Sequence, residues 1–188
     1  MLIDASGIGR RLLLRMAGGA FGALLLTAHT PYGQWTVYRQ RNLFIVASRT
    51  DPHALDLART LVRGLARELP QAHARVTRAT DTVRIASLLA TKQIEIAIVS
   101  ADQAPHMLRG TDEFKSVGPI NLRLLVDLGD HLMVSVLSFS ERHAFLVTEA
   151  VEHLRSELPG ATASPGPLRI PPHPGAAAYH ARSRESGQ

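Results

Sequence analysis

Three short polar stretches hold the residues of this chain best suited to chemistry: SRTDP at 48–52, ATDTV at 79–83 and VSADQAP at 99–105. Each stands at the end of a predicted strand and gathers hydroxylated or small residues and a carboxylate. The first two lead straight into sequence with helical periodicity. Hydroxyls beside the unpaired amides of a helix start suit a small anion, because the helix dipole and the free N–H groups both favour negative charge there. Arg49, Thr50, Thr80, Thr82, Ser100 and Asp102 are therefore the expected ligand-binding residues. Arg49 is the one positive side chain close in sequence to the first loop. Ser, Thr and Asp also cap helices whatever else they do, so the same residues carry a purely structural reading.

Other chemistries find less support. Five of the 9 histidines, His131, His143, His153, His173 and His180, fall in the last third. His143 and His153 share a helical face but stand about 15 Å apart by helix rise, too far for one metal. No His-Glu-x-x-His segment, Gly-x-Ser-x-Gly elbow or phosphate-cradling glycine loop occurs. Asp51 and Asp102 both belong to the strand-end loops, yet two carboxylates without distinct environments make no acid–base pair. The chain is expected to be no enzyme and to use neither metal nor cofactor. His173, in PPHPG, reads as part of a rigid turn that closes the fold.

Composition narrows the partners. The formal charge is +5, and three arginines and one aspartate before residue 34 account for two of those charges. What is left is too little, and aromatics at 5% are too scarce, to point to nucleic acid. With no cysteine, an oxidising compartment would neither staple nor damage the fold.

The elements that must position the loops alternate in type. LFIVA at 43–47 is a continuous run of strand formers, as a sheet covered on both faces requires. Asp51 or Thr50 caps the next helix, and Pro52 suits its first turn. There Ala54, Ala58, Leu61, Leu65 and Leu69, widened by Val62 and Ala66, form an apolar stripe, with Arg59, Arg63 and Arg67 on the solvated side. A second unit follows: strand 74–79, then a helix capped by Thr80 or Asp81 that buries Val83, Ile85, Ala86, Leu88 and Leu89. IEIAIV at 94–99 is the third strand. Short connections between such units predict a parallel sheet in an α/β domain. Leu122–Val126 and Leu132–Leu137 are further strand material, and Ser140 opens a helix with His143, Val147, Val151, Leu154 and Leu158 along one side.

These residues resemble a known family. ATDTVRIASLLATKQIEIAIVSADQA, 79–104, with its Lys92-Gln93, Glu95-Ile96-Ala97 and Ser100-x-Asp102, is similar to TAXI-type solute receptors of tripartite ATP-independent periplasmic transporters. IPPHPGAAAYH, 170–180, resembles the His-Pro-Gly-Ala segment that closes those receptors. The resemblance implies a parallel-sheet lobe of a type II periplasmic binding protein that captures a small organic acid or amino acid. It also implies a small anionic or zwitterionic solute as ligand and a membrane transporter or sensor as partner. VASRTDPHALDLA departs from the family's first loop in having neither glycine nor tyrosine, and the chain is too short for a full second lobe, so strands 122–137 read as residual crossover strands. A lobe without its opposite wall suggests either weak binding or a homo-oligomer. The alternative is a non-catalytic assembly or regulatory protein on a scaffold that has lost its cleft.

The first 33 residues read as an export signal: Arg10, Arg11 and Arg15 precede an apolar run at 16–28 that is short of the ~20 residues of a membrane span. The adjacent arginines resemble the twin-arginine signal. The expected location is the periplasm, with a membrane anchor as the outcome if the signal is not cleaved. The expected organisation is signal 1–33, lobe 34–158, Pro/Gly connector and terminal segment packing on the lobe 159–180, and frayed tail 181–188. Replacing Arg10 and Arg11 by Lys should hold the precursor in the cytoplasm while residues 34–188 fold normally; an unchanged periplasmic yield on fractionation removes the twin-arginine reading.

Overall fold

The structure, a computed structural model, describes residues 42–158 and 169–186. The arginine pair, the apolar run, the cleavage region and most of the 159–172 connector lie outside these residues. In chain order the elements are β1 (Phe44–Ser48), α1 (Pro52–Glu68), β2 (Arg75–Ala79), α2 (Thr82–Ala90), β3 (Ile96–Ser100), α3 (Gln103–Arg109), β4 (Leu122–Asp127), β5 (His131–Val136), α4 (Glu141–His153) and α5 (Pro174–Ser186).

The local logic of the first half is that of the sequence. The Asp51 side chain accepts from the N–H of Ala54 at 2.9 Å and caps α1, with Pro52 in the first turn. Asp81 does the same for α2 through Arg84, at 2.7 Å. In α1 the buried stripe is Ala54, Leu57, Ala58, Leu61, Gly64 and Leu65. Leu57 and Gly64 join the expected set, while Ala66 is exposed and Val62 and Leu69 are only partly covered. Gly64 is there because a β-carbon would meet the Leu154 side chain at 2.3 Å, which lets α1 and the end of α4 come close. His143, expected on the buried side of α4, is exposed. Ala144, Val147, Thr148, Ala150 and Val151 form that side instead.

The five strands form one sheet in the order β2-β1-β3-β5-β4. β1 pairs in parallel with β2 and β3, whereas β5 runs antiparallel to both β3 and β4. The sheet is therefore mixed rather than parallel, and strands 122–127 and 131–136 are members of the main sheet rather than the start of a crossing to a second lobe. The physical reason is the tight connection at Gly129, whose φ of 88° allows a hairpin reversal; a hairpin can only give antiparallel neighbours.

Period-two alternation sorts the side chains onto two faces. Ile45, Ala47, Ile96, Ile98 and Met133 pack under α1 and α4. Val46, Ala97, Val99, Leu132 and Val134 pack with α2, α3 and Phe114 on the other side. A register shift between Leu124 and Val126 breaks this alternation in β4 and sends the consecutive residues Leu125 and Val126 to the same core.

The terminal segment closes the outer edge of β4. The N–H of Leu124 donates to the Pro171 carbonyl at 2.9 Å and the N–H of His173 to the Leu124 carbonyl at 2.8 Å. His173 is wholly buried; its Nδ1 accepts from the N–H of Gly175, which leaves Nε2 to donate to the Phe139 carbonyl at 3.1 Å. Burial holds its pKa below the usual histidine range, with the carbonyls of Phe139 and Leu137 opposing. The PPHPG turn is thus a packed closure, as its composition predicts. α5 then lies on α4, brought within reach by Gly175, where a β-carbon would sit 2.1 Å from the Glu141 carbonyl oxygen. Residues 181–186, expected as a frayed tail, continue this helix with exposed side chains. Among the described residues no helix is long and apolar enough to cross a membrane.

Leu61 is fully buried in the core beneath α1, so Leu61→Ala should cost about 2 to 5 kcal/mol. Arg63→Ala, on the solvated side, should shift stability by less than ~0.5 kcal/mol. Denaturant titration checks both, and a larger cost at Arg63 would mean that the helix is rotated from the face described.

Candidate functional site at the carboxyl ends of the strands

In the order β2-β1-β3, connections leave β1 and β3 for opposite sides, and the place where they part, outside the carboxyl ends of these strands, is where open α/β sheets bind ligands. β1, β2 and β3 are parallel, so the loops at 49–51, 80–81 and 101–102 share that edge. The first loop is tied to the second by the N–H of Arg49, which donates to the Ala79 carbonyl at 2.9 Å. The second is tied to the third by Thr82, whose Oγ1 donates to Gln103 Oε1 at 3.3 Å. The sequence-predicted residues therefore do converge on one edge.

What they do there is largely to satisfy one another. Thr50 Oγ1 and Ser48 Oγ lie 2.7 Å apart, and the N–H of Thr50 donates to the same Ser48 oxygen. Thr80 Oγ1 donates to Asp81 Oδ2 at 3.0 Å. Ser100 Oγ accepts from the N–H of Asp102, and the Asp102 carboxylate is paired with Arg169 at the start of the closing segment. Gln103 passes the chain of contacts on to Glu113, Nε2 to Oε1, at 2.9 Å. Arg49 projects an exposed side chain from the first loop.

The best-buried ionisable group at this edge is one that the loop motifs did not single out. His131, at the start of β5 and opposite Ser100 in the ladder, is 7% exposed and donates from Nε2 to Asp51 Oδ2 at 2.8 Å. His53, from the first turn of α1, meets its ring edge to face at 4.8 Å. Burial pushes the Asp51 carboxyl up, but the Ala54 amide and His131 together outweigh it and hold the pKa below the ordinary value. Asp51 is thereby both helix cap and tether across 80 positions of sequence. The Nδ1 atom of His131 is buried with no hydrogen-bond partner among the described residues. Closed off from solvent in this way, it has no access to a substrate, and the pair reads as a clamp between α1 and β5 rather than as a general base.

The same clamp changes the electrostatics expected for a ligand. Asp51 and Asp81 occupy amides at the first turns of α1 and α2 that an anion would otherwise use, and Asp102 adds a third carboxylate to the edge. Negative charge brought here must rely on Arg49 and the remaining amides. The mixture of the exposed guanidinium groups of Arg49 and the Asp102-paired Arg169 with carboxylates suits a zwitterion better than a multiply charged anion. Among the described residues no group of three or more His, Asp or Glu side chains is placed to hold a metal ion.

No protein-family model matches the chain, and neither does any curated protein.

Asp51→Asn keeps a capping oxygen but removes the charge that His131 meets. Because the folded carboxyl lies below its unfolded value, its stabilisation is complete above about pH 4 and is lost as pH falls through the folded value. At pH 7 the variant should be weaker by about 1 to 2 kcal/mol, and it should lack part of the wild-type loss of stability below about pH 4. Stability curves with identical acid limbs for the two proteins would exclude the clamp.

Proposed function

We propose that this chain is a non-catalytic, periplasmic solute-binding domain similar to one lobe of a TAXI-type receptor, capturing a small organic acid or amino acid for a transporter or sensor. The observation that carries the reading is the meeting of Arg49, Thr50, Thr80, Thr82, Ser100 and Asp102 at the carboxyl edge of β1, β2 and β3. Within the class, the carboxylates that share the edge with Arg49 favour an amino acid: its carboxylate falls to Arg49 and the loop amides, its ammonium to the exposed Asp81. The HPGA segment supports the same relationship from the other end of the chain, as the closure of the lobe.

A second reading rests on a specific observation. The hydroxyls and carboxylates of the three loops already have partners within the protein, so the edge is chemically complete without a solute. A scaffold of this kind serves assembly or regulation, with the strand-end surface meeting a second copy or a protein partner.

Calorimetry against amino acids and monocarboxylates, run at several protein concentrations with mass measured in parallel, separates the two. Solute capture predicts saturable heat from at least one amino acid, weakened by about 1.5 to 3 kcal/mol in Arg49→Ala and left unchanged in Arg63→Ala. A rise in affinity with self-association would mean that a second subunit supplies the missing wall. Absence of heat in both monomer and assembly would pass the function to the second reading.

A further inference from the structure

A cavity of about 610 Å³ opens at the opposite end of the sheet, between the end of α1, the amino ends of β1 and β3, and the first turns of α4. Its volume is in the range of small-molecule sites, and its walls combine apolar residues with an equal number of polar ones. Leu43, Leu69, Phe139 and Leu146 supply the apolar surface, and Glu95 and His143 stand on the lining among them. Glu95 immediately precedes β3, and its backbone carbonyl accepts from the N–H of Val136. That bond ties residue 95 to the sheet and fixes where the side chain starts.

The carboxylate itself has no hydrogen-bond or ion-pair partner among the described residues; His143 is its one electrostatic neighbour. Although the side chain reaches solvent through the cavity mouth, the surrounding walls desolvate it and raise its pKa, with His143 opposing. An exposed carboxylate on the wall of a cleft, with no hydrogen-bond or ion-pair partner among the described residues, is open to a ligand cation, and a perturbed group in such a place marks a site. The start of α4, which has no side-chain cap at Ser140, favours one negative charge nearby, and Glu95 already provides it. A second anion would meet like charge, whereas a cation completes the pair.

We propose that this cavity binds a small amphipathic amine, with its ammonium on the Glu95 carboxylate and its apolar body against Leu43, Leu69, Phe139 and Leu146. The site is separate from the strand-end loops and does not depend on the solute-binding reading. It lies beyond the amino ends of β1 and β3, while those loops lie beyond the carboxyl ends.

Hexylamine, hexanol and hexanoate share one body and differ in the head group, so titrating the full chain with each reads the head group alone. Hexylamine should saturate one site, with hexanol roughly tenfold or more weaker and hexanoate weakest. Glu95→Gln should bring hexylamine down to the level of hexanol. Ser138→Trp, at the exposed rim of the cavity, should remove both. Arg49→Ala should change nothing. Equal affinity for the three compounds, no saturable hexylamine binding at millimolar concentrations, or an amine affinity indifferent to Glu95→Gln overturns the proposal. So does an amine that is lost with Arg49, since it would be bound at the other end of the sheet.

Discussion

The antiparallel ladder between β3 and β5 is the contact on which the remaining structure depends. It runs from the pair Ile96 and Ser135 to the pair Ser100 and His131, and through it β4 is joined to the parallel β2-β1-β3 unit at all. All of His131–Val136 is buried, so both faces of β5 must be roofed, one by α1 and α4 and the other by α2 and α3. A strand so enclosed leaves no water for its polar groups, and Ser135 and His131 each keep one buried atom without a partner among the described residues. The ladder also delivers His131 to the edge where Asp51 begins α1. Register in the middle of the sheet thus sets the geometry of the loops at its end.

The two ends of this sheet have opposite chemical character. At the carboxyl ends, polar side chains are dense and mutually paired, and in the pair of Asp51 with His131 the imidazole is buried while the carboxylate is partly exposed. At the amino ends, polar and apolar side chains alternate around an open cavity, with Glu95 on its wall. The first arrangement is rigid and specific but already satisfied. The second offers a carboxylate that has no hydrogen-bond or ion-pair partner among the described residues.

How much of this was legible in the sequence follows from the range of each interaction. Caps and stripes are local: Asp51-Pro52 and Asp81 announce helix starts within three or four residues, and Leu61 and Leu65 stand on the buried side where periodicity puts them. Gly64 escaped, because its role is the absence of a β-carbon facing Leu154 on another helix. The position of β5 escaped for a related reason. Leu132–Val136 is apolar in any buried strand, and nothing in that run says whether it lies beside β3 or leaves for another lobe; the hairpin at Gly129 settles it by geometry. The loop hydroxyls were recognised as a set, but their mutual hydrogen bonds depend on the parallel register of three strands. His131 was visible only as one histidine among several, since its partner lies far back in the chain. The signal for Glu95 was present and unused: a charge at the mouth of an apolar strand is a position where burial has to be compensated.

The closing segment gives the protein a direction in time. The outer edge of β4 is made by residues 122–127, yet the backbone groups that cover it at Leu124 belong to Pro171 and His173, near the end of the chain. Synthesis proceeds from the other end, so the first three strands and their helices are complete while that edge still presents unpaired amides and carbonyls. The site filled by the His173 ring under Phe139 is likewise vacant during that interval. The edge is thus sealed by backbone distant in sequence from the strand it covers, and that seal withdraws the sheet from pairing with neighbouring chains.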